Sequence, residues 1–170
     1  MNTIRWTAIV ALIVLAAIAQ GADENWPTTV HRIVGLCYPE RVEDLKAEFK
    51  ERTDIKLVSV DYDKAEATFA YDPKRISAEH LSHQGGNKGF SVHPRSPTPF
   101  DQLTRLDIPV LGLDCKGCAL GTYNAIGRID GVYFATVDYK AGVVSTRIDP
   151  AKTNRAALEE ALKKANVTLK

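Results

Sequence analysis

The chain is written twice, at an offset of 77 residues. Gly35-Leu36 pairs with Gly112-Leu113, Val60-Asp61-Tyr62 with Val137-Asp138-Tyr139, Asp72-Pro73 with Asp149-Pro150, and Leu81 with Leu158, all without a gap. The identities are few, but they fall at element boundaries, and the apolar patterns between them agree. A match at fixed offset sets the architecture before any single element is read, because both copies must then form the same small unit. The 170 residues therefore divide into two small domains instead of one of average size.

In the second copy, 108–113 reads as a short apolar strand, and 116–128 as a helix in which Ala119, Tyr123 and Ile126 recur at helical spacing until Asp130-Gly131 stops it. Strands are expected over 132–138 and 143–148, joined by the turn Lys140-Ala141-Gly142, followed by a helix capped by Asn154 and running to about 164. Residues 167–169 close the sheet. The first copy repeats this order, with strands at 29–34, 56–62, 67–71 and 90–92 and helices at 40–52 and 77–83. Each copy is βαββαβ, which makes the chain an α+β protein of two tandem ferredoxin-like sandwiches. Between the copies, the run His93-Pro94-Arg95-Ser96-Pro97-Thr98-Pro99 is too rich in proline for a helix or central strand and reads as a semi-rigid spacer.

Ahead of the repeats, Arg5 precedes an apolar run over 6–18 broken only by Thr7, and Ala17-Ile18-Ala19 has the small-x-small pattern of a signal cleavage site. The run is shorter than the roughly 20 residues needed to cross a bilayer. A signal peptide over 1–19, cut after Ala19, places the mature chain outside the cytoplasm, secreted or periplasmic, with no membrane insertion once the signal is removed. The 22 Lys and Arg against 21 Asp and Glu leave a formal charge of +1, so no basic face points to nucleic acid. No Ser/His/Asp set, glycine-rich phosphate loop or carboxylate pair is placed by a motif, and no enzyme activity is expected.

The chemistry concentrates in Gly112-Leu113-Asp114-Cys115-Lys116-Gly117-Cys118, at the junction of a strand and a helix. Two thiols at i and i+3 face one side, and a helix N-terminus beside them favours the thiolate, the form that binds metal. Soft sulfur suits Cu(I), Zn(II) and other thiophilic ions, and an exposed pair permits low-coordinate binding and easy release. A closed structural zinc site needs four ligands, and no second CxxC or Cys/His pair stands near in sequence. Two other readings stay open: a thiol-disulfide protein with the CxxC in a disulfide, and a protein-interaction module whose sheets are the docking surface. His80 and His83, at i and i+3, read as a solvated polar face, while Tyr62 and Tyr139, in register in the repeat, read as a shared packing position.

A strand, Gly-x-x-Cys-x-x-Cys and a helix in a βαββαβ frame of about 65 residues resemble the heavy-metal-associated domain of copper chaperones, metal-ATPase N-terminal modules and the periplasmic mercury-binding protein. The resemblance covers nearly all of the chain after the signal, as a degenerate module over 28–93, a linker over 94–106 and a CxxC module over 107–170. It implies that Cys115 and Cys118 ligate one soft metal ion per chain, Cu(I), Zn(II) or Hg(II), and hand it to a transporter or an acceptor protein with cysteine ligands. The family commonly has Met where Leu113 stands and Thr where Asp114 stands. Leu113 keeps the apolar plug, and Asp114 resembles the variant of zinc- and cadmium-exporting pumps, in which a carboxylate joins the thiolates. In the first copy, Tyr38 and Arg41 take the places of Cys115 and Cys118, so that module has lost the pair. Cys37 serves as a third ligand only if the copies dock loop to loop; otherwise it is an inert buried thiol.

Overall fold

The structure, a computed structural model, describes residues 26–82, 84 and 88–170. The expected signal over 1–19 and His83 lie outside these residues. The first module runs β1 (Thr28–Val34), α1 (Arg41–Phe49), β2 (Ile55–Asp61), β3 (Glu66–Tyr71), α2 (Ala78–Leu81) and β4 (Ser91–His93). The second runs β5 (Thr104–Leu111), α3 (Lys116–Ile126), β6 (Val132–Asp138), β7 (Val143–Ile148), α4 (Arg155–Lys164) and β8 (Thr168–Leu169). The strand orders are β2-β3-β1-β4 and β6-β7-β5-β8, antiparallel throughout. The α+β sandwich expected from the repeat is thus formed twice.

Alternation builds each sheet: along β7, Val144, Thr146 and Ile148 turn inward while Val143, Ser145 and Arg147 do not. The buried Thr146 hydroxyl donates to the Leu106 carbonyl at 3.3 Å, so the one polar side chain of that row is satisfied. Helix α4 begins at an Asn154 side chain that accepts the Ala157 N–H at 3.0 Å, and it buries Leu158 and Leu162 against the sheet.

Several boundaries differ from the sequence reading: most shift by one or two residues, α1 ends at Phe49 and not 52, α2 keeps only Ala78–Leu81, and three bear on the site. Strand β5 starts at Thr104, inside the stretch expected as linker, because Thr104 to Asp107 pair with Ile148 to Ser145 of β7. Helix α3 ends at Ile126 with Gly127 as its C-cap, and the chain turns away there through Ile129 N–H to Ile126 carbonyl at 3.1 Å. Helix α1 starts at Arg41, not 40, because Tyr38, Pro39 and Glu40 form a tight turn closed by Arg41 N–H to Tyr38 carbonyl at 3.0 Å.

The linker is a strap tied to both modules. Arg95 grips Glu66 of β3 through two hydrogen bonds, 2.7 and 3.1 Å. Farther on, Phe100 meets Phe134 of β6 edge to face at 6.1 Å, and the Arg147 guanidinium lies 4.8 Å over the Phe100 ring.

The two cores also touch. Val34 and Cys37 of the first module belong to the second module's core, with Tyr38 packed against it, while Phe134 of β6 packs against the first core. Hydrogen bonds cross the seam, among them Gly35 N–H to Tyr123 hydroxyl at 2.8 Å, Arg32 Nη1 to Val132 carbonyl at 2.9 Å, and Val137 N–H to Cys37 carbonyl at 2.9 Å. The last two fall on β6, an edge strand of its sheet, and so cover backbone groups that an open edge leaves unpaired. Among the described residues no helix is long and apolar enough to cross a membrane.

Candidate metal centre

Cys115 is the N-cap of α3, in an extended conformation. Its Sγ accepts the Cys118 N–H at 3.1 Å, doing with sulfur what a serine or aspartate oxygen does at most helix starts. Cys115 is exposed and Cys118 partly so, and both are free thiols. The Cys115 thiol is held below its ordinary value, first by a hydrogen bond with the Cys118 side chain and then by the Cys118 and Gly117 backbone N–H groups. Desolvation and the negative charge of Asp114 oppose this. The sum is a surface thiol shifted toward thiolate by its cysteine neighbour first and by the N–H groups of the helix start second, and thiolate is the state that attracts a soft cation. Leu113 beneath the loop is buried, so the apolar plug expected at that position is in place.

Asp114 is beside the pair, yet among the described residues no three His, Cys, Asp or Glu side chains are gathered into a set that could hold an ion. The two thiols stand as a pair on a rim, with open solvent on one side for an incoming ligand.

The first module's loop takes a different form. Gly35 adopts φ +112°, and a Cβ there would sit 2.9 Å from the Gly89 carbonyl and the Phe90 ring, so only glycine fits. Arg41, at the repeat position of Cys118, is buried; its guanidinium donates to the carbonyls of Gly35 at 3.1 Å and Lys88 at 2.6 Å, pairs with Asp44 at 3.1 Å, and lies 4.0 Å over the Phe90 ring. A permanent cation of the chain itself thus occupies the loop whose counterpart offers a thiol. Cys37 is 0% exposed, and burial pushes its thiol up. The copies do dock near their loops, but Cys37 is turned into the shared core, and among the described residues it joins no ligand set.

Sequence reasoning missed the residues that join the loops. Glu40 Oε1 lies 3.2 Å from Lys116 Nζ, and Lys116 stands 5.5 Å over the Tyr38 ring. Tyr123, read only as a core residue, carries the buried hydroxyl that meets Gly35. Its ring lies so close to Gly127 that a Cβ there would approach it to 2.7 Å, and that glycine was the available signal. Tyr62 and Tyr139 do pack against the two cores, and both also line the cleft between the modules. His80 bonds Ser77, the α2 cap, at 3.1 Å, which fits a polar helix face.

No family model matches the chain. Copper-transporting ATPase 2 of Homo sapiens is 22% identical over 193 aligned residues, covering 86% of this chain and 13% of that protein. The chain therefore spans a small part of the curated relative it matches. Among solved structures, the CopZ metallochaperone is 25% identical and covers 39% of this chain and all of its own, with a TM-score of 0.39. The N-terminal domain of a potential copper-translocating P-type ATPase from Bacillus subtilis is 25% identical over 41% of this chain and 86% of its own, TM-score 0.39. Oxidized MerP from Ralstonia metallidurans CH34 is 24% identical over 39% and 93%, TM-score 0.38. In its repeated fold and its Gly-x-x-Cys-x-x-Cys loop, the chain resembles two heavy-metal-associated domains in tandem, the second with the cysteine pair and the first without it.

Proposed function

We propose that the protein captures one soft metal ion, Cu(I), Zn(II) or Hg(II), between Cys115 and Cys118 and passes it to an acceptor by ligand exchange, outside the cytoplasm. The observation that carries this is the exposed thiol pair at the start of α3, with one sulfur already receiving a backbone N–H. Capture releases the thiol protons, because only thiolates bind. In transfer, one acceptor thiol loses its proton and adds to the ion, a mixed thiolate complex forms, and the second follows, so that Cys115 and Cys118 leave in turn and regain the two protons the acceptor's thiols give up. A rim position makes that exchange possible without unfolding either protein. Asp114 adds a carboxylate to the pair when the ion is Zn(II), since hard oxygen suits zinc better than Cu(I). The acceptor is a metal transporter or a carrier with cysteine ligands. The apolar leader over 1–19, cut after Ala19, supplies the address.

The test is titration of the reduced chain with Cu(I), Zn(II) and Hg(II). One tight equivalent is expected, lost in Cys115→Ser/Cys118→Ser and retained in Cys37→Ser. Two tight equivalents, or one that survives the double substitution, refute the assignment. Native protein isolated without metal and two protons light by mass would point to a disulfide instead.

A further inference from the structure

Where the modules meet, a cleft of about 540 Å³ is lined by Tyr38, Glu40 and Tyr62 from the first and by Asp138, Tyr139 and Lys140 from the second. Glu40 Oε1 pairs with Lys116 Nζ, the first residue of α3, at 3.2 Å, and Lys140 lines the same cleft as Glu40. Asp138, the other cleft carboxylate, is committed to its own turn, accepting the N–H groups of Lys140 at 3.0 Å and Ala141 at 2.9 Å. The second module thus sets two ammonium groups about one carboxylate of the first, and one of them, Lys116, stands between Cys115 and Cys118 in the sequence.

We propose that Lys116 and Lys140 form a carboxylate-receiving site beside the thiol pair, filled in the resting chain by Glu40 and taken over by a carboxylate of an acidic acceptor protein as it approaches Cys115 and Cys118. The Lys116 and Glu40 side chains keep 51% and 60% of their exposure, so their ion pair sits in a high-dielectric setting where partners exchange readily. An acidic acceptor replaces one carboxylate by another and leaves no charge unpaired; an acceptor without one gains nothing from the lysines. The degenerate module is then a resident stand-in for the acceptor, which gives it a role without metal. This assignment rests on the transfer reading above, but its first test needs no metal.

The probe is alkylation of the reduced chain by anionic iodoacetate and neutral iodoacetamide. The same thiolates attack both reagents and displace iodide, so the rate ratio reports local charge and not thiol ionisation. Glu40→Gln is expected to raise the iodoacetate-to-iodoacetamide ratio about two- to fivefold at low salt and much less at about 0.5 M salt. Asp138→Asn is expected to raise it far less. Tricarballylate, a carboxylate probe without a thiol, should lower the raised ratio in Glu40→Gln, and should fail to do so in Glu40→Gln/Lys140→Met. A ratio unmoved by Glu40→Gln, an equal rise in Asp138→Asn, or indifference to tricarballylate overturns the proposal; unchanged far-UV circular dichroism certifies that each variant is folded. With Cu(I) loaded, Glu40→Gln should speed transfer to a CxxC peptide flanked by Glu more than to one flanked by Lys. Failure of the metal titration alone sinks the transfer reading and leaves the alkylation result standing.

Discussion

Tyr123→Phe isolates one bond between the modules. The hydroxyl receives the Gly35 N–H at 2.8 Å, and both groups are buried. Phenylalanine keeps the ring and its packing, so no large cavity opens; what remains is a buried N–H without a partner. Such an orphaned donor costs about 1–3 kcal/mol, and about 2 kcal/mol is the expected loss here. For a chain of this size each kcal/mol moves the melting temperature by about 2–4 °C, which gives a fall of about 4–8 °C. In a chain beginning at residue 20, Trp26 is the sole tryptophan and lies next to β1, so its fluorescence reports the first module. Far-UV circular dichroism reports both. Because the bond joins α3 to the end of β1, and the cores share Val34, Cys37 and Phe134, both signals should shift together in one transition. A fall below about 1 °C, or a Trp26 transition that stays put while the rest moves, would refute the reading of the modules as one cooperative unit.

Thiol reactivity should separate the three cysteines: Cys115 labels first and Cys37 labels only on unfolding, as followed by peptide mass spectrometry, since one thiol is exposed and lowered and the other buried and raised. His31 supplies a pH dependence. Burial holds its imidazole below the ordinary value of 6.5, against a weaker upward pull from a hydrogen bond with the His93 backbone, and Nδ1 has no partner. The unfolded chain therefore takes up a proton that the folded chain resists. The contribution of His31 is full above about 6.5 and is lost as the pH falls from there toward the lower folded value, so urea midpoints should drop across that window and drop less in His31→Gln. Gly121 is exposed within α3, and a Cβ added to it would meet no atom within 4 Å, so Gly121→Ala should stabilise by about 0.5–1 kcal/mol in chemical unfolding; a loss would show that the helix needs glycine there.

Much of the fold was legible because a repeat forces two stretches of sequence to agree. The β6 and β7 bounds, the Asn154 cap and the α4 end follow from alternation and capping, which are local rules. The CxxC pair was legible too, since its spacing and its place before a helix are matters of neighbouring residues. Boundaries that depend on a partner strand were not: β5 begins at Thr104 because β7 lies opposite, and nothing in Thr104 to Asp107 announces that. The expected spacer became a strap because Arg95 and Phe100 found Glu66 and Phe134, far away in sequence. By itself, the sequence determined the two sandwiches, the loss of one thiol pair and the survival of the other. Only the tertiary structure decided that Cys37 is buried in the shared core, that Arg41 fills its own loop with charge, and that Glu40 holds Lys116. Those outcomes hang on how two modules meet, and contacts between distant segments leave no periodic mark in either one, because each side satisfies the other instead of itself.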